Sequence, residues 1–244
     1  MMKRKKVKRT WRLWPCSLVC AVAFFTLLVV SFQGDSVASD PLSISDILGK
    51  VQQRYGAGDF EADFVQESLL KAMDMVDTAK GHLYFARPGM MRWHYKTPEE
   101  YLIITDGDTV WIYRPEENLV MLGRAAEYFG SEKGTDLFSN PRELSREFIV
   151  ELAPRQLQEK DYHVLRLVPK TERPDLAELN LFISKETFNI MKTVTYNTFG
   201  DRTTIRFESY RFNQGLNSSL FVFNIPHGAE VVQLQSKKTG INRD

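Results

Sequence analysis

The sequence predicts a mainly β protein with a few segregated helices, folded as a curled antiparallel sheet or unclosed barrel of about eleven strands that helices close on one side. Three observations predict this class. After residue 58 the hydrophobic spacing changes from 3.6 to 2. Short apolar runs then follow one another, divided by Pro, Gly or Asp-Gly. The helical pattern is confined to one stretch before the strands and one between them, as in folds whose helices cover one side of a sheet.

The first helix rests on Ile44, Ile47, Leu48, Val51 and Tyr55, which recur at helical spacing. Ser43 followed three residues later by Asp46 reads as its capping box, and Gly56-Ala57-Gly58 as its end. Phe60, Ala62 and Phe64 then alternate with Glu61 and Asp63 as a half-buried strand does. Further strands are expected at residues 81–86, 90–95, 101–105, 109–113 and 119–122, with Asp106-Gly107 as a hairpin turn. Residues 125–152 read as a second helical section, with Pro141 at a first turn before Leu144, Phe148 and Leu152. Strands resume at 162–168, 179–184, 190–196, 203–210 and 220–223, with Phe199-Gly200-Asp201 turning one hairpin.

Several strands are apolar on both faces. Met91, Trp93 and Tyr95 share a face while Met90 lies on the other, and Val110 and Ile112 back Trp111 and Tyr113. A sheet with one wet face would alternate more cleanly. Two readings follow: a sheet covered by helices with no cavity, or one whose second face lines a hydrophobic cavity in which Met and aromatic side chains adapt to varied ligands.

The N-terminus carries MMKRKKVKRTWR and then an apolar run over residues 15–32, the order of an export signal. Val37-Ala38-Ser39 suits signal peptidase, so residues 1–39 are expected to be a signal peptide and 40–244 a single domain; retention of the run as an anchor is the alternative. Cys16 and Cys20 both lie in this segment, behind residues too bulky for a lipidation box, which leaves the remainder without cysteine. About 205 residues can bury roughly 70% of their unfolded surface without such staples. Of 32 basic and 31 acidic residues, seven basic ones and Asp35 fall before residue 40, so the remainder carries about −5. That balance, with its cations scattered, argues against nucleic acid as a partner.

Catalytic motifs are missing. The four histidines (His82, His94, His163, His227) have no metal-ligand spacing, and there is no Gly-x-Ser-x-Gly elbow, phosphate loop or dinucleotide fingerprint. Glu99, Glu100, Glu116 and Glu117 sit beside turns as solvated charge. A non-enzyme without metal or cofactor is expected.

The segment FARPGMMRWHYKTPEEYLIITDGDTVWIYRP, residues 85–115, resembles the signature of the bacterial outer-membrane lipoprotein carrier (LolA) family. Arg87 and Pro88 form its basic-Pro pair, Trp93 ends its aromatic strand, and Pro98, Asp106, Gly107, Trp111, Tyr113 and Pro115 follow in order. Phe64-Val65-Gln66, Gly81 and the closing LFVFNIPHGAEVV extend the similarity over nearly all of residues 43–233. The resemblance implies an unclosed antiparallel barrel with a helical lid, a monomeric periplasmic chaperone. Its hydrophobic interior would receive the acyl chains of lipoproteins from an inner-membrane ABC-type release complex and deliver them to an outer-membrane acceptor lipoprotein. Phe64, Leu83, Phe85, Met91, Trp93, Ile103, Trp111 and Tyr113 are the expected acyl-chain lining. Arg87 is expected to hold the lid shut through backbone carbonyls, a task for which the five donors of guanidinium suit it better than lysine. Two stretches depart from the family: residues 69–80 carry Met73, Met75 and Val76 where a polar turn is expected, and residues 170–178 are rich in charge and proline. A carrier of another amphiphile and a lipid-sensing envelope regulator are the alternative functions.

Overall fold

Ten antiparallel pairings and one parallel pairing join twelve strands into one sheet in the computed structural model, which describes residues 42–56, 58–129 and 136–234. The signal-peptide expectation falls on residues 1–39 and lies outside the described residues.

Helix α1 (Ile44–Gly56) leads in, and its capping box forms as expected: the Asp46 N–H donates to Ser43 Oγ at 3.2 Å and the Ser43 N–H to Asp46 Oδ2 at 3.2 Å. These bonds hold the Asp46 carboxyl below its ordinary range. The first half of the sheet is β1 (Phe60–Leu70), β2 (Met75–Ala86), β3 (Met90–Thr97), β4 (Tyr101–Thr105), β5 (Thr109–Arg114) and β6 (Leu119–Arg124). The second half is β7 (Phe148–Leu152), β8 (Tyr162–Pro169), β9 (Glu178–Ser184), β10 (Ile190–Tyr196) and β11 (Arg202–Phe212), and β12 (Glu230–Gln233) closes the chain's path. The spatial order is β12-β6-β5-β4-β3-β2-β1-β11-β10-β9-β8-β7, so the first and last strands of the barrel do not meet. Between β6 and β7 the chain passes from near one rim to the other through α2 (Ala125–Phe129), α3 (Asp136–Ser139), a 3-10 turn at Pro141–Glu143 and α4 (Leu144–Glu147). These pieces and α1 form the lid over the inner face. The main core joins residues of α1, α3, β1 to β3 and β7 to β11, including the fully buried Tyr55, Phe60, Phe64, Phe85 and Phe207.

Ten of the eleven expected strands are present, and three expectations are corrected. Residues 220–223 are not a strand: a 3-10 turn occupies Ser218–Phe221, capped by the Asn217 side chain accepting the Ser219 N–H at 2.9 Å, and Phe221 is buried. The section 125–152 ends in strand β7 rather than in helix. Phe148 and Leu152 are four apart, a spacing that keeps two side chains on one side of a helix and, being even, on one face of a strand as well; pairing with β8 decides for the strand. Residues 69–80 are not a loop either, because the β1–β2 hairpin runs on to its tip at Lys71–Met73. With β7 and β12 added, the sheet has twelve strands.

Candidate functional site: an apolar cavity under a helical lid

Strand register decides which side chains meet. Phe64 stands opposite Gly81, Leu83 opposite Ala62 and Trp93, and Phe85 opposite Phe60 and Met91. Trp93 pairs with Ile103, which pairs with Ile112. These residues share the inner face. The Phe64 ring lies over Gly81, where an added Cβ would come within 2.6 Å of it and 2.2 Å of the His94 carbonyl, so only glycine fits the crossing.

The inner face is not filled everywhere. A cavity of about 260 Å³ opens with Met91, Trp93, Ile103 and Ile205 as its floor and Tyr128, Phe129, Leu137 and Phe138 of the lid as its roof. Tyr95 closes its side. Burial keeps that phenol in its neutral form, and its hydroxyl donates to Gln66 at 2.9 Å while its ring stacks on Tyr101 at 4.0 Å. Among the described residues Tyr95 and Tyr128 supply the only ionisable groups of the lining, so these residues offer apolar area and almost no fixed polar bonds.

Phe138 is the keystone of the roof. Its ring lies 5.3 to 5.9 Å from those of Tyr55, Phe60, Phe85 and Phe207, in the middle of the core. Behind it, Tyr55 donates to the Tyr210 hydroxyl at 3.2 Å, Tyr210 donates to the Ile190 carbonyl at 2.6 Å, and the Ile190 N–H donates back to Tyr55 at 2.9 Å. Burial pushes the Tyr55 phenol up to about 12.

Of the sequence-predicted lining, Met91, Trp93 and Ile103 do face the cavity. Phe64, Leu83 and Phe85 share their face of the sheet but are packed in the core beside it, each at most 1% exposed. Trp111 and Tyr113 are placed on the opposite face, where both rings pack against Phe223 at 6.3 and 5.4 Å. The reason is parity: four residues separate the paired Thr105 and Val110, so odd-numbered residues of β5 share a face with even-numbered residues of β4. Tyr95, Ile205 and the four roof residues were missed, although Tyr95 alternates with Trp93 and the roof aromatics stand out in the helical section. Arg87 Nη1 donates to the carbonyl of Gly56, the last residue of α1, at 3.2 Å.

The outer face carries an ion cluster that spacing along the chain could not reveal. His82 Nδ1 lies 2.7 Å from Asp63 and Nε2 3.1 Å from Glu61, which also accepts from Arg211 at 2.7 Å. The Arg211 bond above all holds Glu61 low, and the His82 bond does so for Asp63. The Ser209 hydroxyl also bonds Asp63, and among the described residues no group of three or more His, Asp or Glu side chains is placed to hold a metal ion. No described helix is long and apolar enough to cross a membrane.

A curled, unclosed sheet with an apolar interior under helices defines the class of half-barrels that enclose hydrophobic ligands. A family model for the outer membrane lipoprotein carrier protein LolA matches residues 56–224, and the chain belongs to that family. An outer-membrane lipoprotein carrier protein of Nitrosomonas europaea is 30% identical over 178 residues, 71% of this chain and 82% of its own. One from Chromohalobacter salexigens is 27% identical over 174 residues, 71% of this chain and 80% of its own. Among solved structures, a conserved protein of Thermus thermophilus described as uncharacterized shares the fold, with a TM-score of 0.52 at 14% identity, over 79% of this chain and all of its own.

Proposed function

We propose that this protein is a periplasmic chaperone that takes acylated lipoproteins from an inner-membrane ABC-type release complex and carries them to an outer-membrane acceptor, with their acyl chains inside the half-barrel. The observation that carries this reading is the apolar cavity between Met91, Trp93 and Ile103 below and Phe129 and Phe138 above. Acyl chains in water cost ~0.8 kcal/mol per methylene, so one sixteen-carbon chain needs on the order of 12 kcal/mol of shelter. At about 260 Å³ the cavity is smaller than the roughly 300–1,000 Å³ of ligand pockets, so an acyl chain needs more room than the lid leaves here. Loading then displaces the lid, with Phe138 giving up its place in the core to the incoming chain. Arg87 favours the closed form through the carbonyl of Gly56, and so promotes release once an acceptor offers a tighter site.

The test mixes purified protein with membrane vesicles that hold a triacylated lipoprotein and an active release complex. A soluble one-to-one complex is expected in the supernatant, and bound lipid recovered by mass spectrometry should be the acylated cargo. Protein that leaves the lipoprotein on the vesicles, or that returns only a free lipid, overturns the reading.

A further inference from the structure

Strand β7 ends the sheet, and its ladder to β8 fixes which of its backbone groups are spare. The Lys170 N–H donates to Glu147 and the Ala153 N–H to Val164, so the alternation of an antiparallel pair turns Val150 and Leu152 outward. The Phe148 N–H closes helix α4 on the Leu144 carbonyl, whereas the N–H and C=O groups of Val150 and Leu152 have no partner among the described residues. Natural edges are blunted by Lys, Pro or a bulge. The sequence Phe-Ile-Val-Glu-Leu has none of these, its one charge, Glu151, is paired with Arg166 of β8, and Ile149 and Leu152 are 50% and 56% exposed.

Beside this edge, between it and the first turns of α1, runs an open cleft of about 630 Å³. Leu48, Phe148 and Val150 supply apolar walls, and among the described residues its only ionisable lining groups are Arg142 and Lys170. Arg142 lies across Gly49 of α1, where even a Cβ would come within 2.7 Å of its Nη2; Lys170 is tied to the Ser145 carbonyl at 2.8 Å. Of the carboxylates in this region, Asp46 is engaged by Ser43 and Glu143 by Arg146. Ser45, in the first turn of α1, adds the positive end of a thirteen-residue helix to the same wall.

We propose that β7 is a docking strand for an extended, acidic segment of a partner polypeptide, which pairs with the main chain of Val150 and Leu152 and sets its carboxylates against Arg142 and Lys170. An extended chain is the occupant that uses the open edge, since alternate side chains enter the cleft while its backbone completes the ladder. The two cations select its charge. An anionic amphiphile would satisfy the cations and leave the edge groups unpaired.

Selection of a random eight-residue peptide display library on the full chain tests this directly. Enriched peptides should alternate Asp or Glu with β-branched residues, and synthetic copies should shift the Val150 and Leu152 amide resonances. Val150→Pro removes an outward N–H and leaves the β8 ladder intact, so it should weaken these peptides at least tenfold with an unchanged circular dichroism spectrum. Ile149→Glu, an exposed edge charge of the peptide's own sign, should do the same if the proline variant fails to fold. Arg142→Glu with Lys170→Glu should switch the preference to basic peptides. The proposal is overturned if selection returns no peptide that depends on Val150, if basic peptides win on the parent protein, or if vesicles of anionic phospholipid displace the peptides and bind Val150→Pro equally well.

Discussion

The two faces of the sheet around β3 to β5 have nearly the same composition and opposite fates. On the outer face Ile104, Val120 and Phe221 are at most 1% exposed, and Trp111 and Tyr113 pack against Phe223, because the 218–223 segment lies directly on the strands. On the inner face Trp93, Ile103 and Ile205 stay half-buried beside a void, because the lid spans them without filling the space. Apolar side chains alone therefore do not make a ligand site. The open space lies where the cover is a separate element of short helices.

The sharpest way to break this contrast is Phe138→Ala. Truncating a buried Phe costs about 3 to 5 kcal/mol, and here the loss falls on the closed form. Thermal unfolding should show the destabilisation, while uptake of a hydrophobic dye into the cavity should rise at least tenfold. Unchanged dye uptake would mean that Phe138 is ordinary core.

Alkaline pH should loosen the inner side selectively. The Tyr55 phenol is raised from 10 to about 12, so the folded state holds its proton more tightly than the unfolded chain does. This stabilisation is fully present below pH 10 and lost between pH 10 and 12, to a total of roughly 2 to 3 kcal/mol at 1.36 kcal/mol per unit. Denaturant midpoints measured from pH 7 to 12 check this, and Tyr55→Phe should flatten the alkaline part of the curve.

A pair of tryptophan variants sharpens the comparison further. Trp111→Ala should lower stability by about 2 kcal/mol and leave cargo affinity per folded molecule unchanged, since its ring serves the sealed face. Trp93→Ala should cost less stability and weaken cargo binding about tenfold. Parallel titrations with the acylated cargo would expose an error if both variants lost affinity equally. The smallest effect belongs to Arg87→Leu, whose bond to Gly56 is exposed and worth about 1 kcal/mol after screening. Loading should proceed normally and transfer to an acceptor should slow by about fivefold, followed as cargo remaining in the soluble fraction.

Much of this was legible in the sequence because alternation reports faces within one strand. Met91, Trp93 and Tyr95 fall together on that ground alone, and Ser43 with Asp46 marked the start of α1 to the residue. Parity across a turn is a different matter. Three residues separate the paired Ala86 and Met90 and preserve the odd-numbered face from β2 to β3, whereas four separate Thr105 and Val110 and reverse it. One residue of turn length thus decided that Trp111 belongs outside. The cluster of His82 with Glu61 and Asp63 was hidden for a related reason, since it depends on the pairing of β1 with β2, about twenty positions away along the chain. Residues 148–152 were ambiguous in principle, because a spacing of four satisfies both periods.

A closed barrel has a radius set by the number and stagger of its strands. This sheet ends instead at β7 and β12, two rims that no strand pairing joins among the described residues. Its girth can therefore adjust by small changes of twist spread over eleven strand pairs, with no ladder bond broken. One scaffold can then wrap cargoes with thin or bulky acyl bundles, and stretching costs little at any single residue.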